Sequence, residues 1–165
     1  MLTAFSAAAI ACDCGGEPYR PGVTMDQIRK EKREYFLTGF QGAAFIGKIV
    51  KRERVNVKWI AKTMDGEPTN FQMYKYTIRV RDYWLGVTSP TVTVFGEPEE
   101  QVHGNFSSWS SCGFSLEKGQ TYFFTPRFNQ NNLQIGQCDF AGEGSPPNER
   151  QAAEFRRIMG EPKRF

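Results

Sequence analysis

Ala44-Phe45-Ile46-Gly47-Lys48-Ile49-Val50-Lys51-Arg52-Glu53-Arg54-Val55-Asn56-Val57-Lys58-Trp59 opens as an apolar run and passes into rough alternation, as a long curved strand does. Gly47, inside the apolar run, is placed for a bulge or bend at which such a strand coils sharply. Asp65-Gly66 with Pro68 marks a turn, and Phe71, Met73, Tyr74, Tyr76, Ile78 and Val80 alternate strongly enough to predict an answering strand. That second strand runs out at Arg81-Asp82-Tyr83-Trp84-Leu85-Gly86.

Working outward, a short third strand is expected over 91–95, ended by Gly96, and residues 97–111 read as a long polar loop. A fourth strand is expected over 120–126, introduced by the turn signal Glu117-Lys118-Gly119. A polar turn over 129–132 leads into a fifth strand over 133–138. Before all of these, Thr24 is placed to cap a helix running to about Leu37, with Asp26 in its first turn and Gly39 and Gly42 closing it. After them, Gly144-Ser145-Pro146-Pro147 breaks the chain, and residues 148–159 form an amphipathic pattern carrying Ala152, Phe155, Ile158 and Met159. A helix, five meandering strands and a helix predict a mainly β protein: a five-stranded closed barrel of the OB type with flanking N-terminal and C-terminal helices.

The chain has 165 residues and 39% apolar content, which suits one domain with a modest core. Its net charge of +3 is spread over mixed runs such as Arg29-Lys30-Glu31-Lys32-Arg33-Glu34, so a solvated helix face is expected there and no nucleic-acid partner. No stretch reaches the roughly eighteen apolar residues of a transmembrane helix.

Leu2 to Ala11 is a short apolar leader ending in Ala9-Ile10-Ala11, the small-x-small pattern that signal peptidase cuts, although no Lys or Arg precedes it. Export is the expectation, with the protein secreted, periplasmic or at the cell surface. Cleavage after Ala11 makes Cys12 the first residue, two positions before Cys14; Cys112 and Cys138 lie far down the chain. In an exported domain four cysteines suggest two disulfides. A Cys12–Cys14 bridge closes a very small strained ring. Cys12 and Cys14 are therefore each expected to pair with one distal cysteine, contributing on the order of 4–5 kcal/mol per bridge in the chain-entropy model. The spacing does not match paired Cys-x2-Cys zinc ligation, so no intrinsic metal and no cofactor are expected. A lipid anchor on Cys12 is the minor alternative, because Ala9-Ile10-Ala11-Cys12 has alanine where a lipobox usually has leucine.

Several stretches in order resemble a known family. They are Cys12-Asp13-Cys14, Ala44-Phe45-Ile46-Gly47-Lys48-Ile49-Val50, Tyr76-Thr77-Ile78-Arg79-Val80-Arg81-Asp82-Tyr83-Trp84-Leu85-Gly86, and Ser111-Cys112-Gly113-Phe114 with Glu117, Gly119 and Tyr122. A stretch from Leu133 to Cys138 completes the set. Together they resemble the netrin-like module and, within it, the N-terminal domain of the tissue inhibitors of metalloproteinases, most closely their bacterial relatives. The resemblance divides the chain into a leader over 1–11, an OB domain over 12–141, and a C-terminal linker and helix over 142–165. It implies the bridges Cys12–Cys112 and Cys14–Cys138. It also implies that the α-amine and carbonyl oxygen of Cys12 can chelate a protease's zinc, with Cys12 and Asp13 contacting the protease. Asp13 departs from the small hydroxyl residue usual at that position. A carboxylate there is desolvated and faces the protease's general-base glutamate.

The function expected is a secreted, disulfide-stabilised binding module, monomeric, with an extracellular protein partner; the alternative is a metalloprotease inhibitor acting through Cys12. No enzyme is expected. His103, the lone histidine, has no nucleophile or base partner by pattern and reads as a solvent-exposed loop residue; Asp82 reads as a turn or cap residue. Asn105-Phe106-Ser107 has the glycosylation pattern, which is meaningful only in a eukaryotic secretory route.

Overall fold

A computed structural model describes residues 20–62, 68–103, 106–109, 116–129, 131–136 and 149–165, of which 58–62, 68–71, 97–103 and 106–109 are described by their backbone alone. The N-terminal helix α1 spans Met25–Thr38 and starts where the sequence places it. The Thr24 side chain accepts from the Gln27 backbone N–H, and the Gln27 side chain accepts from the Thr24 N–H, a reciprocal capping box. Gly39 ends it, its N–H donating to the Tyr35 carbonyl.

Two long strands follow, β1 (Ala44–Lys62) and β2 (Pro68–Leu85), paired antiparallel. Their register slips at 46–47, where the extra residue is Arg81 on β2, and at 49–51, where it is Val50 on β1, so one irregularity falls beside Gly47. A Cβ on Gly47 would lie 2.5 Å from Ile78 Cγ2 and 2.9 Å from the Arg79 carbonyl oxygen. Only a residue without one lets the strands approach this closely. Gly86 ends β2 at φ +69, where a Cβ would run into the Gly42 carbonyl oxygen. The remaining strands are β3 (Thr91–His103), β4 (Phe106–Trp109), β5 (Thr121–Phe124), β6 (Arg127–Asn129), β7 (Asn132–Gln134) and β8 (Lys163–Arg164). Between β7 and β8 lies helix α2 (Glu149–Met159).

The protein is mainly β and carries both expected helices, but the expected closed five-stranded barrel does not form. The described strands make one curled, mixed, eight-stranded sheet, a half-barrel whose hydrogen-bonded path runs β5-β1-β2-β3-β7-β6, with β4 on β3 and β8 on β2. β7 runs parallel to β3; every other pairing is antiparallel. The two ends of the path, β5 and β6, are consecutive in the chain across Thr125-Pro126 and do not pair with each other. A single bridge, Gly42 to Arg127, brings β6 alongside the start of β1, supported by Ala43 N–H to the Pro126 oxygen at 2.9 Å and Phe128 N–H to the Gln41 oxygen at 2.9 Å. Pro126 donates no ladder hydrogen bond, and the three-residue strands β6 and β7 give little length to pair, so no closing ladder forms among the described residues.

The strand bounds need three further corrections. β3 runs through Gly96 to His103 and pairs with β4, so the segment expected as a loop over 97–111 is a hairpin where it is described. The fourth expected strand, 120–126, is β5 and ends at Phe124, and β6 (Arg127–Asn129) lies beyond it, where no strand is expected. The sequence reading contained no β8; its pairing of Arg164 with Asp82 and Lys163 with Tyr83 returns the C-terminal end to the sheet.

Alternation along the strands builds a core on each face of the sheet. Inward residues Phe45, Ile49, Tyr76, Ile78, Val94, Tyr122, Phe124 and Ile135 are buried together, with the Phe45 and Phe124 rings stacked at 5.1 Å. Outward residues Ala44, Ile46 and Phe123 pack against Phe155 of α2 and Phe36 of α1. Within this outer cluster the Phe155 ring lies 4.7 Å from Phe36, 5.1 Å from Trp84 and 5.1 Å from Phe123. Across the helices Arg29 Nε donates to Glu154 at 2.8 Å.

Candidate functional site

The residues singled out in the sequence are only partly placed. Cys12, Asp13, Cys14, Cys112 and Cys138 lie outside the described residues, and with them both expected bridges and the zinc-chelating N-terminus; Asn105 of the sequon does too. His103 is the last residue of β3, not part of a loop. Asp82 is not a turn or cap residue. It lies within β2, 3% exposed, and accepts from Arg81 Nε at 2.7 Å on one oxygen and from Arg164 Nε at 3.0 Å on the other. Both guanidinium groups are largely exposed, so Asp82 is the buried anchor of a latch holding β8 on the sheet. Phe165 stacks on Tyr83 at 4.6 Å, and Trp84 Nε1 donates to the Gly160 oxygen at 2.7 Å, which completes that latch.

Among the described residues there is no cluster of three His, Cys, Asp or Glu side chains able to hold a metal. No described helix is long and apolar enough to cross a membrane.

A different group of side chains is assembled where β1 and β2 run on past the core. β5 pairs with β1 only from Phe45 to Lys48, and the last bonds on that side are Ile49 N–H to the Gln120 oxygen and Gly119 N–H to the Ile49 oxygen. Beyond Ile49, no described strand pairs with that side of β1. The register sets Arg52 opposite Tyr76 and Arg54 opposite Tyr74. Residues opposite each other in an antiparallel pair share a face, so both arginines stand on the inner face, in line with the buried Ile49 and Ile78.

The tyrosines step from core to solvent. Tyr76 is fully buried, with its hydroxyl accepting from Leu116 N–H at 3.4 Å; Tyr74 is half-buried, its ring 6.0 Å from that of Tyr76. Arg52 Cζ lies 3.7 Å above the Tyr74 ring centroid. Arg54 Cζ is 5.5 Å from the same centroid, and Arg54 Nε donates to the Tyr74 hydroxyl at 3.3 Å. One aromatic ring thus orients two guanidinium groups; a guanidinium over a ring face, as Arg52 is, can still donate from its edge to a carboxylate or another planar anion. Arg52 Nε is buried and has no hydrogen-bond partner among the described residues.

The outer face of the same segment carries Lys51, Glu53 and Lys75. Lys51 donates to Glu53 at 2.8 Å, and this bond, with the nearby charge of Lys51 and then Lys75, holds the Glu53 carboxyl below its ordinary value. The one acid described on this stretch of β1 is therefore already engaged. The Arg52–Tyr74–Arg54 group was not singled out from sequence. The only local signal is the run Lys51-Arg52-Glu53-Arg54 inside a strand pattern. Its pairing with Tyr74 depends on a register that two bulges reset.

No family model matches this chain, and neither a curated protein nor a solved structure matches it. The netrin-like resemblance accordingly rests on the quoted residues alone.

Proposed function

We propose that this protein is an exported, disulfide-stabilised binding module that engages an extracellular protein partner through the inner face of its β1–β2 ribbon. The observation that carries this reading is the Arg52–Tyr74–Arg54 group, two arginines oriented by one aromatic ring on a strand pair anchored in the core. Arginine and tyrosine are the side chains that most often dominate binding energy at interfaces, and rigid strands lose little freedom on docking. The test is selection of ligands from a random peptide library and a glycan array on the exported protein. Binders should be enriched that are lost on the ribbon variant Arg54→Glu with Gln72→Glu, Gln72 lying two residues before Tyr74 on the same face of β2. Failure to enrich any binder, or equal binding to that variant, overturns the reading.

Ala9-Ile10-Ala11 before Cys12 favours a second reading, inhibition of a zinc metalloprotease through the Cys12 amine and carbonyl. N-terminal sequencing with non-reducing peptide mapping tests the start at Cys12 and the bridges Cys12–Cys112 and Cys14–Cys138. A start elsewhere removes that reading, as does equal inactivity of the native protein and Asp13→Ser against a zinc-protease panel.

A further inference from the structure

We infer that β1 over residues 51–57, on the side that no described strand pairs, accepts an extended acidic segment of a protein partner as an added strand, with a carboxylate of that segment seated on Arg52 beside Tyr74. This rests on the binding-module reading and specifies the chemistry of its partner.

The backbone defines the kind of occupant. Among the described residues, β1 is covered on that side by β5 as far as Lys48, with the last hydrogen bonds at Ile49, while its other side remains paired with β2 through Trp59. A row of strand N–H and C=O groups open on one side is a template for another extended peptide. At about 3.4 Å per residue it offers roughly 20 Å, enough for a segment of about seven residues. A glycan has no alternating amide ladder to pair with it, which favours a peptide.

The side chains define the charge. Arg52 stands on this stretch of β1, and Glu53, the one acid described beside it, is already bonded to Lys51. Arg52 Cζ stands 3.7 Å over the Tyr74 ring, so its fork is held in place before any ligand arrives. Its Nε is a buried donor with no described acceptor, and an unmade bond of that kind costs free energy that a carboxylate oxygen would recover. Charged side chains along an open edge also discourage pairing with another copy of the same edge. An acidic segment converts that repulsion into attraction, so the edge selects for charge opposite to its own.

The experiment uses the full exported chain and a labelled, end-blocked seven-residue peptide alternating Thr and Glu, with binding read by fluorescence anisotropy at low and high salt. Three comparators accompany it: the same peptide with Gln for Glu, the same peptide N-methylated at alternate backbone nitrogens, and a heparin octasaccharide. The Thr/Glu peptide is expected to bind. The Gln and N-methylated peptides should bind at least tenfold more weakly, and Arg52→Gln should weaken the Thr/Glu peptide at least tenfold, as expected for loss of a charge-assisted pair. Tyr74→Leu should weaken it as well, by removing the ring that orients Arg52. Equal binding of the Gln or N-methylated peptide overturns the inference, as does an unaffected Arg52→Gln, and these peptide comparisons stand even where a protein variant fails to fold. Binding of heparin alone assigns the arginines to a sulfated polymer and overturns the added strand. Library binders that survive Arg52→Gln yet are lost on the ribbon variant would end this inference and leave the binding-module reading intact.

Discussion

The two halves of the β1–β2 ribbon share strands and antiparallel pairing, yet one half is core and the other is surface. In the first half, Phe45 and Ile49 face the inner cluster while Ala44 and Ile46 face Phe155 and Phe36. In the second half, the alternation, shifted by one residue at the bulge between Ile49 and Lys51, presents Arg52 and Arg54 inward and Lys51 and Glu53 outward. The difference lies in what covers them. β5 lines the edge of the first half, and α1 and α2 cover its outer face, whereas the described part of β5 stops before the second half begins. Met73 is the exception, buried on the outward side of the second half but a member of neither cluster. A strand therefore changes role along its length when its neighbours end, even though the bulge between Ile49 and Lys51 keeps the residues opposite Tyr74, Tyr76 and Ile78 on one face.

The largest effect should come from emptying the first half. Phe45→Ala removes a fully buried ring stacked on Phe124 and should lower stability by about 3–5 kcal/mol. Arg54→Ala, nine residues along the same strand, should change it by less than about 0.5 kcal/mol. Denaturant midpoints of the two variants check the contrast, and similar losses would break it.

Next in size is the outer cover. Phe155→Ala deletes the ring shared by Phe36, Trp84 and Phe123 and should cost about 3 kcal/mol. Amide exchange is expected to accelerate in α2 and β8 first, with β1–β3 protection kept; uniform acceleration would show that the outer cluster is not a separable cover. Asp82→Ala removes the carboxylate held by Arg81 and Arg164, and its expected cost is about 1–2 kcal/mol with loss of β8 protection. An unchanged β8 would assign the latch to Phe165 and Trp84.

The smallest effect is electrostatic. Hydrogen bonds from Arg29 and then Arg157 hold the Glu154 carboxyl below its ordinary value, so the stabilisation it contributes is fully present above about pH 4.5. It is lost as the pH falls through the depressed value in the folded protein. Glu154 is about one-third exposed, so Glu154→Gln should remove no more than about 0.5–1 kcal/mol at neutral pH and flatten the acid limb of the stability profile. A pH-stability series on both proteins measures this, and an unchanged acid limb would show that the α1–α2 ion pair contributes nothing to the cover.

Local chemistry made much of this legible. Thr24 and Gln27 supply a capping box wherever a helix follows, and Gly47 within an apolar strand marks a close approach of strands because it lacks a Cβ. Phe155 and Ile158 are buried on α2 at the positions its amphipathic pattern set out. The errors came from long-range relations. Gly96 does not stop β3, because pairing with β2 and β4 carries the strand through it. Asp82 is buried because Arg164, far along the chain, reaches it. Closure failed as an expectation because strand count alone does not state how many residues the last ladder will contain.

The sequence by itself determined the local elements: two capped or patterned helices, the long first strand, the alternating second strand and the turn signals, since each depends on neighbours within a few residues. The cysteines and the leader likewise belong to that reading, as an expectation of export and two bridges. Only the tertiary structure decided that the sheet is a curled half-barrel, that the C-terminal end returns to β2, and that Arg52, Arg54 and Tyr74 form one group. Register and cover are set by contacts between residues distant in sequence. A shift of one position, such as each bulge introduces, would send the same arginines to the opposite face.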